Sequence, residues 1–187
     1  YEKTCIGIWT EFQKLGVEMD VVSSNDDLSD YKVVVAPMLY LLQSGTAENL
    51  QKFVKNGGQL LATYFTGYVD KDTLCYLGGF PGDGLAELFG VISEEIDTLY
   101  PSDRNSLCFL DGKKWTVYDY AEILRVQDAQ ILASYGTDFY EGSAALTVKE
   151  WESDTHTGEN GRAYYIAARV APEEMGSLFE TMLANAG

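Results

Sequence analysis

Residues 29–70, SDYKVVVAPMLYLLQSGTAENLQKFVKNGGQLLATYFTGYVD, decide the fold. Val33, Val34 and Val35 make residues 31–36 a β-branched run that Pro37 closes, the pattern of a strand buried on both faces. Thr46 is a good N-cap residue, and Ala47, Leu50 and Val54 follow at i, i+3 and i+7 with Phe53 widening the stripe. Asn56-Gly57-Gly58 then stops the helix, because glycine tolerates the left-handed conformation that a helix C-terminus often requires. The chain turns directly into a second apolar run at 59–64. A strand, a helix and a strand so joined form a βαβ crossover, and parallel strands connected this way are covered by helices on both faces. The expectation is therefore a three-layer α/β/α domain built on a mostly parallel sheet.

Toward the N-terminus, Cys5, Ile8, Trp9, Phe12 and Leu15 fall at helical spacing and Gly16 follows, which predicts an amphipathic helix over 4–15. Residues 17–22 then read as a short strand. A doubly wound domain normally opens with a strand that becomes central, and no such strand precedes this helix. Either it lies upstream of Tyr1 and the chain is a piece of a longer one, or residues 5–9 are themselves extended; the first reading is preferred. Residues 23–27, SSNDD, fit no EF-hand spacing and read as a solvated turn. Toward the C-terminus, LGGFPG at 77–82 has neither the GxGxxG spacing nor the GK[ST] ending of a phosphate loop. A short helix at 85–89 ends at Gly90. Beyond Val91, residues 115–120, 131–135, 145–151 and 162–170 are short and rich in β-branched and aromatic residues, so they read as strands added toward the C-terminus. The last two flank a polar loop at 152–161 and predict an antiparallel hairpin. Pro172 opens a final helix carrying Met175, Leu178, Phe179, Met182 and Leu183 on one stripe. No repeat or linker divides the chain, so residues 1–187 are expected to form one domain.

With 46% hydrophobic residues in 187, the chain can bury one ordinary core. Its 13 basic and 29 acidic residues leave a net charge of −16, which repels nucleic-acid backbones and anionic lipid headgroups. No apolar segment approaches the ~20 residues needed to span a bilayer, and residues 1–9 carry no secretory-signal pattern. A cytoplasmic location is the expectation. Cys5, Cys75 and Cys108 are widely spaced without a CxxC pair, so neither a disulfide framework nor a zinc knuckle is indicated.

Catalytic constellations are hard to assemble from these residues. A Ser-His-Asp or Cys-His site needs an imidazole, and His156, in the loop between the last two predicted strands, is the single histidine. A lone loop histidine is usually solvated. Glycoside hydrolysis needs two converging carboxyl groups, and Glu94, Glu95, Asp97, Glu150, Glu152 and Asp154 are the obvious candidates. None of them follows a predicted parallel strand, where an α/β sheet places its ligand site. No cofactor motif or metal-ligand spacing is present. The aromatic content is 13%, with 13 tyrosines, and such side chains stack on sugars or pack at protein interfaces.

The residues LSDYKVVVAPMLY at 28–40 resemble the middle, trimerisation domain of glycoside hydrolase family 42 β-galactosidases. The resemblance continues through Phe53-Val54, Asn56-Gly57-Gly58, TYFTG at 63–67, Val69-Asp70 and LGGFPG at 77–82, then Ala121-Glu122, DFYEG at 138–142 and GRAYYI at 161–166. It runs through most of the chain in the same order. It implies a class I glutamine-amidotransferase-like, flavodoxin-like fold set between an upstream (β/α)8 barrel holding both catalytic glutamates and a downstream β-sandwich. The parent chain is then expected to hydrolyse terminal β-D-galactosides as a homotrimer, with the galactoside bound mainly by the barrel. In that family the acid/base stands in an Asn-Glu pair, a dipeptide that does not occur here. The amidotransferase nucleophile position falls on Phe65, which cannot attack a carbonyl, and Cys75 lies well past the turn. The resemblance thus implies a chain with no catalytic residue, cofactor or metal of its own. Tyr64, Phe65, Tyr68, Phe80 and Pro81 are the candidates for a subunit interface or a pocket rim. A free-standing amidotransferase-superfamily enzyme using Cys75 or a carboxylate is the alternative, and the missing nucleophile and first strand count against it.

Overall fold

A computed structural model describes residues 1–153 and 159–187. Helix α1, Glu2–Lys14, turns Ile8 and Phe12 inward one turn apart, and Glu2 and Lys14 complement its dipole at opposite ends. The expected strand at 17–22 does not form: these residues join no ladder, although Val17 and Met19 pack against the core beside α1. A β-branched run becomes a strand only where a neighbour offers free backbone groups at hydrogen-bonding distance, and none lies against this segment.

The βαβ unit is present as expected. Strand β1, Val33–Ala36, pairs in parallel with β3, Gln59–Thr63, in register from Val33 opposite Gln59 to Ala36 opposite Ala62. Between them come the two-residue strand β2, Leu41–Leu42, and helix α2, Thr46–Lys55, which buries Ala47, Leu50, Phe53 and Val54. The N-cap of α2 is Gly45 at φ 87°, not Thr46. A left-handed entry favours glycine, and the Thr46 hydroxyl instead donates to Asn25 Oδ1 at 3.0 Å, tying the 23–27 turn to the helix.

After β4, Val69–Asp70, which pairs with β2 in a separate small sheet, come α3, Leu85–Phe89, and an antiparallel succession. Its members are β5 Val91–Thr98, β6 Asn105–Phe109, β7 Lys114–Val126, β8 Gln130–Tyr135, β9 Ala144–Trp151, β10 Gly161–Ile166 and β11 Ala168–Val170. The main sheet runs β1-β3-β10-β9-β8-β6-β7-β11, with β5 also on β7. Parallel pairing in it is confined to β1, β3 and β10, so the sheet is mixed and not mostly parallel. Tight turns can join only antiparallel neighbours, and from β5 to β11 no crossover helix separates one strand from the next among the described residues. The single run expected at 162–170 is two strands. Ala167 breaks it, its N–H reaching Ala145 O at 2.9 Å and its carbonyl accepting Glu122 N–H at 2.7 Å. Pro172 opens a 3-10 turn, Pro172–Glu174, and helix α4 follows at Gly176–Asn185.

Side chains alternate across the sheet and build a core on each face. Leu61, Tyr164 and Ile166 meet α1 and α4, where Phe12 stacks on Phe179 with ring centroids 4.5 Å apart. Leu60, Ala62, Ala163 and Tyr165 meet α2 and α3 on the other side.

Candidate functional site

Parallel strands present functional loops at their C-terminal ends. Here the turns after β1 and β3 lie side by side there. Met38 N–H donates to Thr63 Oγ1 at 2.8 Å, Gly67 N–H to Leu39 O at 2.8 Å, and Gly82 N–H to Gly67 O at 2.9 Å. Each turn carries a non-glycine residue in the left-handed region, Met38 at φ 47° and Phe65 at φ 63°. That conformation costs roughly 1–2 kcal/mol for a side chain with a Cβ, so something must hold it. For Phe65 the holder is Glu122, whose Oε1 accepts the Phe65 N–H at 2.5 Å. Glu122 Oε2 accepts the Tyr165 hydroxyl at 2.8 Å. Glu122 is completely buried, and desolvation pushes its carboxyl up to about 7, against the opposing pull of the Phe65 N–H and the hydroxyls of Tyr165 and Ser93.

Above this carboxyl lies a continuous aromatic cluster. Phe65 meets Tyr120 edge-on at 5.0 Å and Tyr40 at 6.4 Å, Tyr68 stacks on Tyr40 at 5.5 Å, and Tyr68 also meets Tyr76 and Phe80. The residues singled out from sequence divide into two groups. Phe65 and Tyr68 are half-buried and reach the surface, whereas Tyr64, Phe80 and Pro81 are buried and support them from below. The outer rim includes residues the sequence reading passed over: Tyr40 is 44% exposed and Tyr76 55%, with Leu74 and Leu77 beside Tyr76 in the chain and also exposed. Tyr40 follows β1 as Phe65 follows β3, so the rule that selects Phe65 also selects Tyr40. Tyr120 and Glu122 arrive from β7, and no local pattern points to them.

The other candidates do not converge. Glu94 pairs with Arg125 at 2.6 Å, Asp97 accepts the Tyr140 hydroxyl at 2.8 Å, and Glu150 pairs with Arg162 at 3.3 Å. Glu95 and Glu152 are exposed, while Asp154 and His156 lie outside the described residues. Cys75 is exposed in the loop after β4. Among the described residues no group of three His, Cys, Asp or Glu is placed to hold a metal ion, and no helix is long and apolar enough to cross a membrane. The cluster can stack on a ring face or bury itself against another protein surface; it offers no nucleophile beside a base.

These features define an α/β domain of mixed sheet whose turns after β1 and β3 carry a partly exposed aromatic cluster. Residues 1–187 match the family described as Beta-galactosidase trimerisation domain, and the chain belongs to it. It is 39% identical to the β-galactosidase BglY of Alicyclobacillus acidocaldarius over 100% of this chain and 27% of that protein. To the β-galactosidase Pbg of Clostridium perfringens it is 39% identical over 97% of this chain and 26% of that one. Among solved structures it superimposes on Gan42B, a GH42 β-galactosidase from G. stearothermophilus, with a TM-score of 0.87 and 35% identity over 98% of this chain and 26% of that chain. The chain thus spans about a quarter of the length of the curated relatives it matches.

Proposed function

We propose that this chain is the non-catalytic assembly module of a β-galactosidase that works as a homotrimer on terminal β-D-galactosides in the cytoplasm. The observation that carries the reading is the aromatic rim of Tyr40, Phe65, Tyr68 and Tyr76, set on a surface of net charge −16. Like-charged copies repel unless the contact itself is apolar, and the rim joins exposed Tyr40 and Tyr76 through Tyr68 into one connected aromatic patch. A three-fold ring needs one patch to meet a different patch on the next subunit, and the rim is one such patch, placed also to border a neighbour's sugar pocket. The fold is read as amidotransferase-like and flavodoxin-like: β1, β3 and β10 are parallel, helices cover both faces, and left-handed Phe65 stands on the turn where a nucleophile would be. The cysteines Cys5, Cys75 and Cys108 are free, in keeping with a reducing compartment.

The chain is further read as one domain of a longer polypeptide. Between α1, residues 17–22 and the edge of β1 not paired with β3 runs a groove of about 260 Å³, lined by Ile8, Trp9, Phe12, Val21, Val33 and Val35. A strand supplied from upstream of Tyr1 would satisfy the free β1 edge and bury that lining. Extending the chain upstream is expected to raise its melting temperature and to protect the Val33–Ala36 amides from exchange; unchanged protection would remove this part of the reading.

Light scattering tests the assembly role. The 187-residue chain is expected to be a monomer or a weak, concentration-dependent oligomer, since specific interfaces bury roughly 1,200 Å² or more in total. The whole β-galactosidase is expected to be a trimer, and a monomeric whole protein at micromolar concentration refutes the role. Turnover of a chromogenic β-galactoside or of glutamine by the 187-residue chain, lost on mutating one of its own residues, would refute the non-catalytic reading.

A further inference from the structure

Among the described residues Glu122 is the only acidic side chain in the buried set. Burying a carboxyl is costly, and an apolar residue there would be the default of a packed core. The groups that face it come from every element around it. Tyr165 reaches it from β10, Phe65 N–H from the turn after β3, and Tyr64 and Ser93 lie near it on that turn and on β5. From β8, the Tyr135 hydroxyl donates to the Glu122 carbonyl at 3.0 Å, fixing the backbone from which the side chain projects. None of these is a cation, so the carboxyl is not half of a buried ion pair. Its oxygens accept from the Phe65 N–H and the Tyr165 hydroxyl, with the Ser93 hydroxyl as a further neighbour, and the first of these donors is the N–H of left-handed Phe65.

We propose that Glu122 is a positioning residue, whose carboxyl latches the left-handed turn at Phe65 and thereby sets how the aromatic rim is presented at the surface, in a manner that follows its protonation. The ionised carboxylate accepts from both donors at once, and the bond to Phe65 N–H is then charge-assisted, roughly twice as strong as a neutral one. When Oε2 takes up a proton, it donates to the Tyr165 oxygen and the tyrosine hydroxyl turns away. Oε1 is then a neutral carbonyl holding Phe65 more weakly. Phe65 touches Tyr40, Tyr68 and Tyr120, so a looser turn is felt across the rim. This inference uses the rim of the proposed function, but the latch itself can be read without any assembly.

The test is a pH titration from 5.5 to 8.5 of the 187-residue chain by amide NMR, with hydrogen exchange at Phe65. The Phe65 amide is expected to move downfield and become more protected with one midpoint near 7, and the ring signals of Tyr40 and Tyr68 are expected to follow it. In Glu122→Gln the amide stays at its acid-limb position throughout. In Tyr165→Phe, which keeps the Phe65 bond and removes the other donor, the midpoint moves upward. A Phe65 amide that does not titrate, or that titrates alike in Glu122→Gln, overturns the latch. If the latch titrates while trimer affinity of the whole protein ignores both pH and Glu122→Gln, the latch stands and the rim is not the assembly contact.

Discussion

Replacing Gly161 by alanine is expected to destabilise the fold by about 3 kcal/mol, the upper part of the range for forcing atoms into a filled core. Gly161 begins β10, between β3 and β9. A Cβ there would lie 1.8 Å from the Val54 carbonyl oxygen and 2.7 Å from its carbon. Both are backbone atoms, so no rotamer change relieves the clash. Either α2 backs off the sheet, opening the packing of Leu50, Phe53 and Val54, or β10 shifts out of register with two neighbours. Gly176→Ala is the control: its Cβ meets nothing within 4 Å, and alanine in the first turn of α4 is expected to be neutral or slightly stabilising. Urea unfolding of both variants checks this, and a Gly161→Ala midpoint at the wild-type value would show that the α2–β10 contact is not rigid.

Stability is expected to fall as the pH rises from about 4.5 to about 7, by about 3 kcal/mol for the group responsible, a figure scaled from roughly 1.4 kcal/mol for each unit that a pKa differs between states. That group is Glu122, whose carboxyl titrates near 4.5 in the unfolded chain and is pushed up to about 7 in the fold by burial. Between those values the folded state binds the extra proton. The contribution is fully present below about 4.5 and is lost as the pH passes about 7. The carboxyls of Asp27 and Asp70 act in the opposite sense: backbone N–H groups of Ser29 and of Thr73 lower them, so what they add is present at neutral pH and disappears only below the ordinary aspartate range. The windows are therefore separate. Comparing wild type with Glu122→Gln by chemical denaturation at pH 5 and pH 8 isolates the effect, because charge repulsion among the other acids is common to both. Equal pH slopes in the two proteins would remove Glu122 as the cause. The carboxylate that grips Phe65 most firmly is also the form the fold least favours, a cost compatible with a positional role.

The central βαβ unit was legible because its signals are local. Val33 to Val35, the Ala47, Leu50 and Val54 stripe and Gly57 at the helix end each act within a few residues, and a crossover of that length leaves one sensible topology. The antiparallel half was less legible. Strand β5 escaped the sequence reading because a bulge between Ser93 and Glu95 breaks its alternation and leaves Glu94 and Glu95 both exposed. Strand β7 ran past its expected end at Tyr120 because residues 121–126 are held by β5, an element the reading did not contain. By itself, then, the sequence determined the α/β class, the order of the crossover and the family. Tertiary structure alone decided that the sheet is mixed, that Tyr64 and Phe80 lie beneath the rim while Tyr40 and Tyr76 stand on it, and that Glu122 alone of the acids among the described residues is buried. The physical reason is that burial and hydrogen-bond partnership are properties of pairs brought together by folding: Glu122 and Phe65 are 57 residues apart, and nothing local to either marks the other.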